Sequence, residues 1–310
     1  MNNFSKKIFF LKKSLYQHSF GMCARLRVPY TELKNKYYHF IMRNLVSVCD
    51  DAYKEVQFKN NQYIDSQNTH HVWVMWWQGI EEAPKVVKSN INIMQKIFGN
   101  DLKIISKDNF MNYVDINPLL KSKFKYGIIL QQQWADIIRV NLLKRYGGLW
   151  IDSTVVLSNE ICEYPKLFDR SFVSICSSED NEISVSHENW ATWFIGGKSN
   201  TPIFEFLSIF FVKYFNCFDF NLDYFLLDYA ISYFYKKNKD FREEIEAQKR
   251  EWHALYFYNN LYNPISEVNL NKFNNDLGYC IQKVTYKINE KKVTPDCLFS
   301  HIVNDDLKDR

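Results

Sequence analysis

Between residues 134 and 156 the chain reads WADIIRVNLLKRYGGLWIDSTVV, and no other segment restricts the fold as tightly. The apolar spacing predicts an amphipathic helix that carries Asp136 and Arg139 three residues apart and stops at Gly147-Gly148. Leu149 to Ile151 is short, apolar and bounded by glycine, as a buried strand is, and Asp152 stands at its end. A helix that turns directly into a buried strand needs partner strands beside it and a second layer to cover it. The segment therefore predicts an α/β sheet with one carboxylate delivered at its edge.

The flanking chain supplies further strands and helices. In HHVWVMWWQG, Val72 to Trp77 reads as a first buried strand closed by a glycine. Pro84 with Val86, Val87, Ile91, Met94 and Ile97 predicts a helix that Gly99-Asn100 ends, and LKIIS at 102–106 predicts a second strand. Strand, helix and strand in this order imply a right-handed βαβ unit on a parallel sheet. Helices broken at Pro118 follow, then a strand at 172–176, WATWFIGG at 190–197, and aromatic-rich helices at 202–215 and 223–237. YCIQKVTYK and CLFSHIVND lie near the end. The expectation is one α/β domain over residues 67–310, preceded by a helical arm over 1–66 that ends in a polar linker at 59–68.

The net charge of +4 conceals an asymmetry. Residues 1–45 hold nine Lys or Arg against Glu32 alone, a local +8 that leaves −4 for the remainder. A nucleic-acid binder spreads basic charge over its main domain, so no nucleic-acid partner is expected. Phe4, Ile8, Leu11 and Leu15 share one helical face, flanked by Lys6, Lys7, Lys12 and Lys13. That pattern fits a helix lying on an anionic membrane surface, or one packed on its own domain. Seven scattered cysteines without a CxxC pair suggest neither a zinc site nor a disulfide framework. No secretory h-region fits the start, and no run of about 18 apolar residues could span a bilayer. A cytoplasmic chain is expected, peripheral on the inner face of the cell membrane if the arm binds lipid. The aromatic share of 17% suits a carbohydrate enzyme, because rings outside a core stack on sugars and bases.

Asp152 is the first candidate for chemistry. An acid at the C-terminal end of a parallel strand lies where open α/β sheets bind ligands, and Mg²⁺ commonly takes one or two acids plus substrate phosphates. The structural alternative is a turn or N-cap aspartate. Gly147-Gly148 is likewise either a helix stop or a place where a ligand approaches the backbone. Asp136 and Arg139 are at least an i,i+3 ion pair. Facing a pocket, Asp136 would accept from hydroxyls and Arg139 would donate to a sugar or phosphate. Glu188, Asn189, Asp223 and Asp228 are candidates to face an acceptor, and Lys283 and Lys287 to offset phosphate charge. Each of these six has a plain structural reading as well.

The ordered set VWVMWWQG…AP, ADIIRVNLLKRYGGLWIDSTV, WFIGG…P, DYFLLDY and KVTYK resembles the capsular polysaccharide synthesis glycosyltransferases over roughly residues 70–303. These are grouped with or near glycosyltransferase family 32. The DxxR…YGGxxxD core is similar to a wider set that includes fungal initiating mannosyltransferases and clostridial glucosylating toxins. The resemblance implies a GT-A fold, with a Rossmann-like nucleotide-sugar-binding sheet flanked by helices. It also implies retaining transfer from a nucleotide-sugar, a UDP-sugar favoured, to a capsular or other surface saccharide or lipid-linked saccharide.

By the same resemblance Asp136 and Arg139 hold the donor sugar and form the catalytic set with Asp152. Trp76, with Trp73 as a neighbour, stands at the nucleobase, and Gly147 and Gly148 border the donor. Asp152 takes the place of the first acid of the DxD motif, and Thr154 that of the second. A Mn²⁺ or Mg²⁺ cofactor is implied on Asp152, with Thr154 as a weak ligand and Asp296, His301 or Asn304 as supplementary ones. Two rival functions stand beside this one: a catalytically inactive carbohydrate-binding relative, and a sugar nucleotidyltransferase. The latter usually carries a glycine-rich phosphate loop after the first strand, which VMWWQGIEEAP lacks.

Overall fold

The computed structural model describes residues 3–59, 70–164, 167–176, 184–248, 251–305 and 307, so the expected linker lies outside the described residues from residue 60 onward. Two long helices, α1 (Asn3–Leu26) and α2 (Thr31–Lys59), precede the first strand, β1 (Val72–Met75). Helix α3 (Lys85–Phe98) starts directly after Pro84, where the missing N–H costs no helical bond, and ends at Gly99 with φ 52. Strand β2 (Leu102–Ile105) pairs parallel with β1, from Val72 against Leu102 to Met75 against Ile105. This is the expected βαβ unit.

Helix α4 (Pro118–Lys125) opens on Pro118, with the Asn117 side chain accepting from the Leu119 N–H. Next come α5 (Gln131–Tyr146), β3 (Gly148–Ile151), β4 (Val155–Leu157), β5 (Val173–Ser174) and β6 (Phe194–Gly197). Then follow α6 (Pro202–Cys217), α7 (Leu226–Lys237), α8 (Lys239–Glu246), α9 (Tyr256–Asn259) and α10 (Leu270–Asn275). Strand β7 (Ile281–Lys283) and α11 (Leu298–Asn304) complete the set.

The main sheet has the order β2-β1-β3-β6-β5. β3 lies parallel to β1, whereas β6 is antiparallel to β3 and β5 to β6, so the sheet is mixed. A separate two-stranded ribbon joins β4 antiparallel to β7, with Val155 opposite Lys283.

Strand alternation divides the core between the two faces of the sheet. Trp73, Trp150 and Ile195 point to one face, into a cluster with Ile137 and Ile138 of α5 and Phe204 and Phe210 of α6. Val72, Val74, Leu149, Ile151 and Phe194 point to the other, against Val87 and Met94 of α3 and Leu298 and Ile302 of α11. Helix α5 departs from the amphipathic pattern expected of it. Gln133, Trp134, Ile137, Ile138, Arg139, Val140, Leu142 and Leu143 are all buried, which covers most of its circumference. A helix wedged between a sheet and α6 has little solvent face to mark with polar residues. The polar Asp136 and Arg139 in such a setting therefore call for a specific partner.

The N-terminal helices differ in how they pack. Ile41, Leu45, Val48, Cys49, Ala52 and Val56 of α2 are buried in the same cluster as α5 and α6, so that core runs across the boundary expected at residues 66 and 67. From α1, Phe9 enters the core and stacks on Phe40. The stripe of Phe4, Ile8, Leu11 and Leu15 stays in the open, with Leu11 63% and Leu15 61% exposed. No helix among the described residues is long and apolar enough to cross a membrane.

Candidate active site at the strand ends

Because β1, β2 and β3 are parallel, their C-terminal ends share one edge of the sheet. Asp152 leaves β3 at that edge. Its N–H donates to the Trp193 carbonyl at 2.9 Å and its own carbonyl accepts from the Val155 N–H at 3.1 Å, so the backbone is tied on both sides. Three donors hold the carboxylate. Oδ1 accepts from the Trp150 indole at 2.9 Å and from Arg139 Nη2 at 3.0 Å, while Oδ2 accepts from Lys283 Nζ at 2.8 Å.

Arg139 also donates Nη1 to Asp136 Oδ1 at 2.9 Å, so one arginine bridges two carboxylates. Its guanidinium lies over Trp150, 4.7 Å from the ring centroid, an attraction of cation to ring face. Only 7% of the Arg139 side chain is exposed, against 16% for Asp136 and 29% for Asp152. The cation lies deepest and the acids stand nearer the opening.

The environment separates the carboxyl groups. Burial pushes Asp136 up to about 6, with Arg139 opposing and the Asp152 charge adding to the rise. Burial alone would raise Asp152 too. The charges of Lys283 and Arg139 and the hydrogen bonds from Lys283 and Trp150 outweigh it and hold that carboxyl below the usual range. Asp228, in the first turn of α7, is pushed up to about 7 by burial and then by the Asp136 charge, with the Trp190 indole bond (3.1 Å) opposing. The site thus holds one firmly ionised acid and two that titrate near neutrality, a pattern common where protons or charged ligands are handled.

A cavity of about 1290 Å³ opens beside this cluster. Lys13, Lys34, Trp190, Trp193, Asp228 and Tyr256 are among the residues that line it, drawn from α1, α2, the loop before β6 and the starts of α7 and α9. Asp136 and Asp152 are not in its lining. The two regions meet at Trp193, whose carbonyl binds the Asp152 N–H and whose ring lies 5.3 Å from Lys283 Nζ, and at Asp228.

The expected residues sort clearly. Asp136, Arg139, Asp152 and Thr154 come together, and Lys283 joins them from 131 residues away, with Nζ 2.8 Å from Thr154 Oγ1. Trp76 stands on the same edge at the end of β1, its ring edge-on to Tyr286 at 5.3 Å. Its indole N–H is buried without a partner among the described residues. Trp73 does not reach the edge. It has no exposed surface and donates its indole N–H to the Gly147 carbonyl at 2.9 Å, inside the core.

Gly147 and Gly148 lie at the opposite end of β3 from Asp152, about 13 Å away at strand rise. Backbone fills the space beside them. A Cβ on Gly148 would come 2.1 Å from the His71 carbonyl oxygen, and one on Gly147 would come 2.6 Å from the Ser199 nitrogen. These glycines let strands approach one another rather than admit a ligand. His301 is buried in α11, 3.6 Å from Asp296, and Asn304 is exposed at the end of that helix. Lys287 is exposed, with Nζ 5.9 Å from the Tyr286 ring. Asp223 is buried, accepting from the Tyr37 hydroxyl and standing 3.8 Å from Lys13 Nζ, which ties the segment before α7 to α1 and α2.

Sequence reasoning passed over Trp150, Trp190 and Trp193 as site residues. For Trp150 the signal was present: it lies two positions before Asp152 on β3, and such residues share a face of the sheet.

The chain is thus a mixed α/β protein with a carboxylate–guanidinium–carboxylate network at its parallel strand ends beside a large cavity, the place where α/β proteins commonly bind ligands. The particular family follows from comparison: residues 28–302 match the family of capsular polysaccharide synthesis proteins, and the chain belongs to that family. The match takes in α2 as well as the sheet. No curated protein and no solved structure matches the chain.

The resemblance implies Mn²⁺ or Mg²⁺ on Asp152 and Thr154. A cation bridging Asp152 and Thr154 would take the position that the Lys283 ammonium holds, 2.8 Å from an oxygen of each. Among the described residues no group of three or more His, Cys, Asp or Glu is arranged to hold a metal ion, so Asp296 and His301 do not complete a set with Asp152. The arrangement does not fit a divalent ion bound at this pair.

Proposed function

We propose that the chain is a glycosyltransferase of GT-A type. It moves a sugar, with retention at the anomeric carbon, from a nucleotide-sugar to a capsular or other surface saccharide, free or lipid-linked. A UDP-sugar is the favoured donor. The observation that carries this reading is the Asp136–Arg139–Asp152 network at the parallel strand ends of a chain in the capsular synthesis family.

In the reaction the bond from the anomeric carbon to the diphosphate oxygen breaks, and its electron pair stays on that oxygen. The anomeric carbon bonds to an acceptor hydroxyl oxygen, and the hydroxyl proton passes to the Asp228 carboxylate. Asp136 accepts hydrogen bonds from the donor sugar's hydroxyls, Asp152 orders the cations at the leaving group, and Trp76 with Tyr286 stacks on the base. The cavity receives the acceptor, with Trp190 and Trp193 as ring surfaces for its sugars. A preorganised polar clamp that is strongest on the charge of the transition state is the largest source of rate in such a site.

The test is a thermal-shift panel of UDP-, GDP- and CMP-sugars. One nucleotide class is expected to raise the midpoint. No shift with any of them, together with no release of UDP, GDP or CMP, would overturn the reading. Stabilisation without turnover would favour a carbohydrate-binding protein instead.

Asp228 gives a second test. The rate is expected to rise with pH through about 7, as the base loses its proton. Asp228→Asn removes that limb and lowers kcat by about 10²-fold. Because the folded carboxyl is raised, it weakens the fold progressively as pH climbs from the unfolded value of about 4 to about 7. Asp228→Asn is therefore expected to be more stable than the parent above pH 7, by up to about 4 kcal/mol, and equal to it near pH 4. Unfolding midpoints across that range check the sign.

The open stripe on α1 serves an anionic membrane surface, with Lys6, Lys7 and Lys12 beside it and no acid before Glu32. Lys13 and Phe20 of the same helix line the cavity, so docking would bring the acceptor site to the membrane, where lipid-linked saccharides reside. Leu11→Asp with Leu15→Asp is expected to cut binding to anionic-lipid vesicles by about tenfold or more, with folding unchanged. Equal partitioning of variant and parent would contradict the docking role.

A further inference from the structure

Lys283 is held where it is from several directions. Strand β7 pairs with β4, the Lys283 N–H donates to the Ala254 carbonyl at 2.7 Å, and the Val284 N–H donates to the Thr154 carbonyl at 2.9 Å. From that fixed backbone the side chain reaches into the first and third positions of Asp-Ser-Thr, bonding Asp152 Oδ2 and Thr154 Oγ1. An ammonium has three N–H donors. Two are used in this way, and the third has no hydrogen-bond acceptor among the described residues, the Trp193 ring centroid lying 5.3 Å from Nζ, while the side chain is 20% exposed.

We infer that the Lys283 ammonium is the resident cation of this site, taking the diphosphate oxygen of the donor with its third N–H and making transfer independent of a divalent metal. The inference rests on the nucleotide-sugar reading given above. As the bond to the anomeric carbon breaks and its electron pair moves onto the leaving diphosphate oxygen, negative charge grows beside a cation already oriented by Asp152 and Thr154. The threonine then has a physical reason. A second carboxylate beside Asp152 would draw in a metal ion and compete with the lysine, whereas a hydroxyl accepts one N–H and adds no charge.

The experiment measures nucleotide release (UDP, GDP or CMP) from a UDP-glucose, GDP-mannose and CMP-sugar panel, with excess EDTA or with Mn²⁺, and UDP binding by thermal shift under both conditions. The parent protein is expected to turn over and to bind UDP equally well, within about twofold, with and without EDTA. Lys283→Met, checked for an unchanged fold by circular dichroism, is expected to lose about 10²-fold in kcat and most of the UDP-induced shift. Lys283→Ala with Thr154→Asp restores a two-carboxylate set and is expected to regain turnover only when Mn²⁺ is added. Parent turnover that EDTA abolishes and Mn²⁺ restores would overturn the role of Lys283 and leave the glycosyltransferase reading standing. A Lys283→Met variant with parental kcat would do the same. No turnover and no UDP binding by the parent in either condition would overturn both.

Discussion

Replacing Arg139 with methionine is expected to weaken the fold by about 3 kcal/mol at pH 8 and to abolish measurable transfer. Among the described residues the guanidinium alone hydrogen-bonds both Asp136 and Asp152, at 2.9 and 3.0 Å, and it is 7% exposed. Without it, two largely buried carboxylates face each other with Lys283 on one of them alone. Each would be pushed upward, since Arg139 now lowers both. A carboxyl raised in the folded state favours folding below its unfolded value and loses that contribution as pH rises through the folded one. The deficit should therefore shrink steadily toward pH 4, where both carboxyls accept protons. Arg139→Lys keeps a charge but lacks the fork that spans two acids, and should recover part of the stability and little of the activity. Denaturant unfolding at pH 4, 6 and 8 reads this out, and a deficit independent of pH would mean that packing on Trp150, rather than charge, is what Arg139 contributes.

Gly148→Ala should be more damaging still to the fold. Gly148 has φ 91, a backbone region that side chains rarely adopt, and the new Cβ would lie 2.1 Å from the His71 carbonyl oxygen. That carbonyl accepts the Leu149 N–H at 2.8 Å at the start of the β1–β3 pairing, so relief of the clash must open the sheet. A loss of more than about 3 kcal/mol is expected, combining backbone strain with overpacking. Gly127→Ala is the control. Its φ is 71, but nothing lies within 4 Å of the added carbon, so only the strain of about 1 kcal/mol remains. Comparable losses at the two positions would show that the strand approach is not what requires the glycine.

These contrasts mark how far the sequence can be followed. Apolar runs and their glycine or proline punctuation placed β1, α3, β2, α5, β3, α6 and α7, because local patterning reflects which side of an element is covered. Orientation within the sheet is a different matter: nothing in WATWFIGG distinguishes a strand antiparallel to β3 from a parallel one. In α2 the signal was present but outweighed by the basic charge around it, since Ile41, Leu45, Val48, Ala52 and Val56 recur at helical spacing and are core residues. The glycine pair had two readings, and only the packed backbone beside it separates them.

The site was legible to a similar depth. Asp136, Arg139 and Asp152 stand close in the chain and their convergence follows from a helix turning into a strand. Trp73 and Trp76 look alike in VWVMWW, yet three residues on a strand place them on opposite sides of the sheet, one inside the core and one at its edge. Lys283 is the hardest case. A lysine 131 residues from Asp152 is indistinguishable from a solvated one until the β4–β7 ribbon sets Val155 opposite it.

The central claim is that Asp152 organises a nucleotide-sugar clamp, and the most direct measurement compares the parent with Asp152→Asn in release of nucleoside diphosphate from its donor. The variant keeps the shape and the hydrogen-bond acceptor for Trp150 but removes the charge that orients Arg139 and Lys283. A drop in kcat of at least about 10²-fold, with the fold intact by circular dichroism, is the predicted result. A folded Asp152→Asn protein that releases product at the parental rate would contradict it.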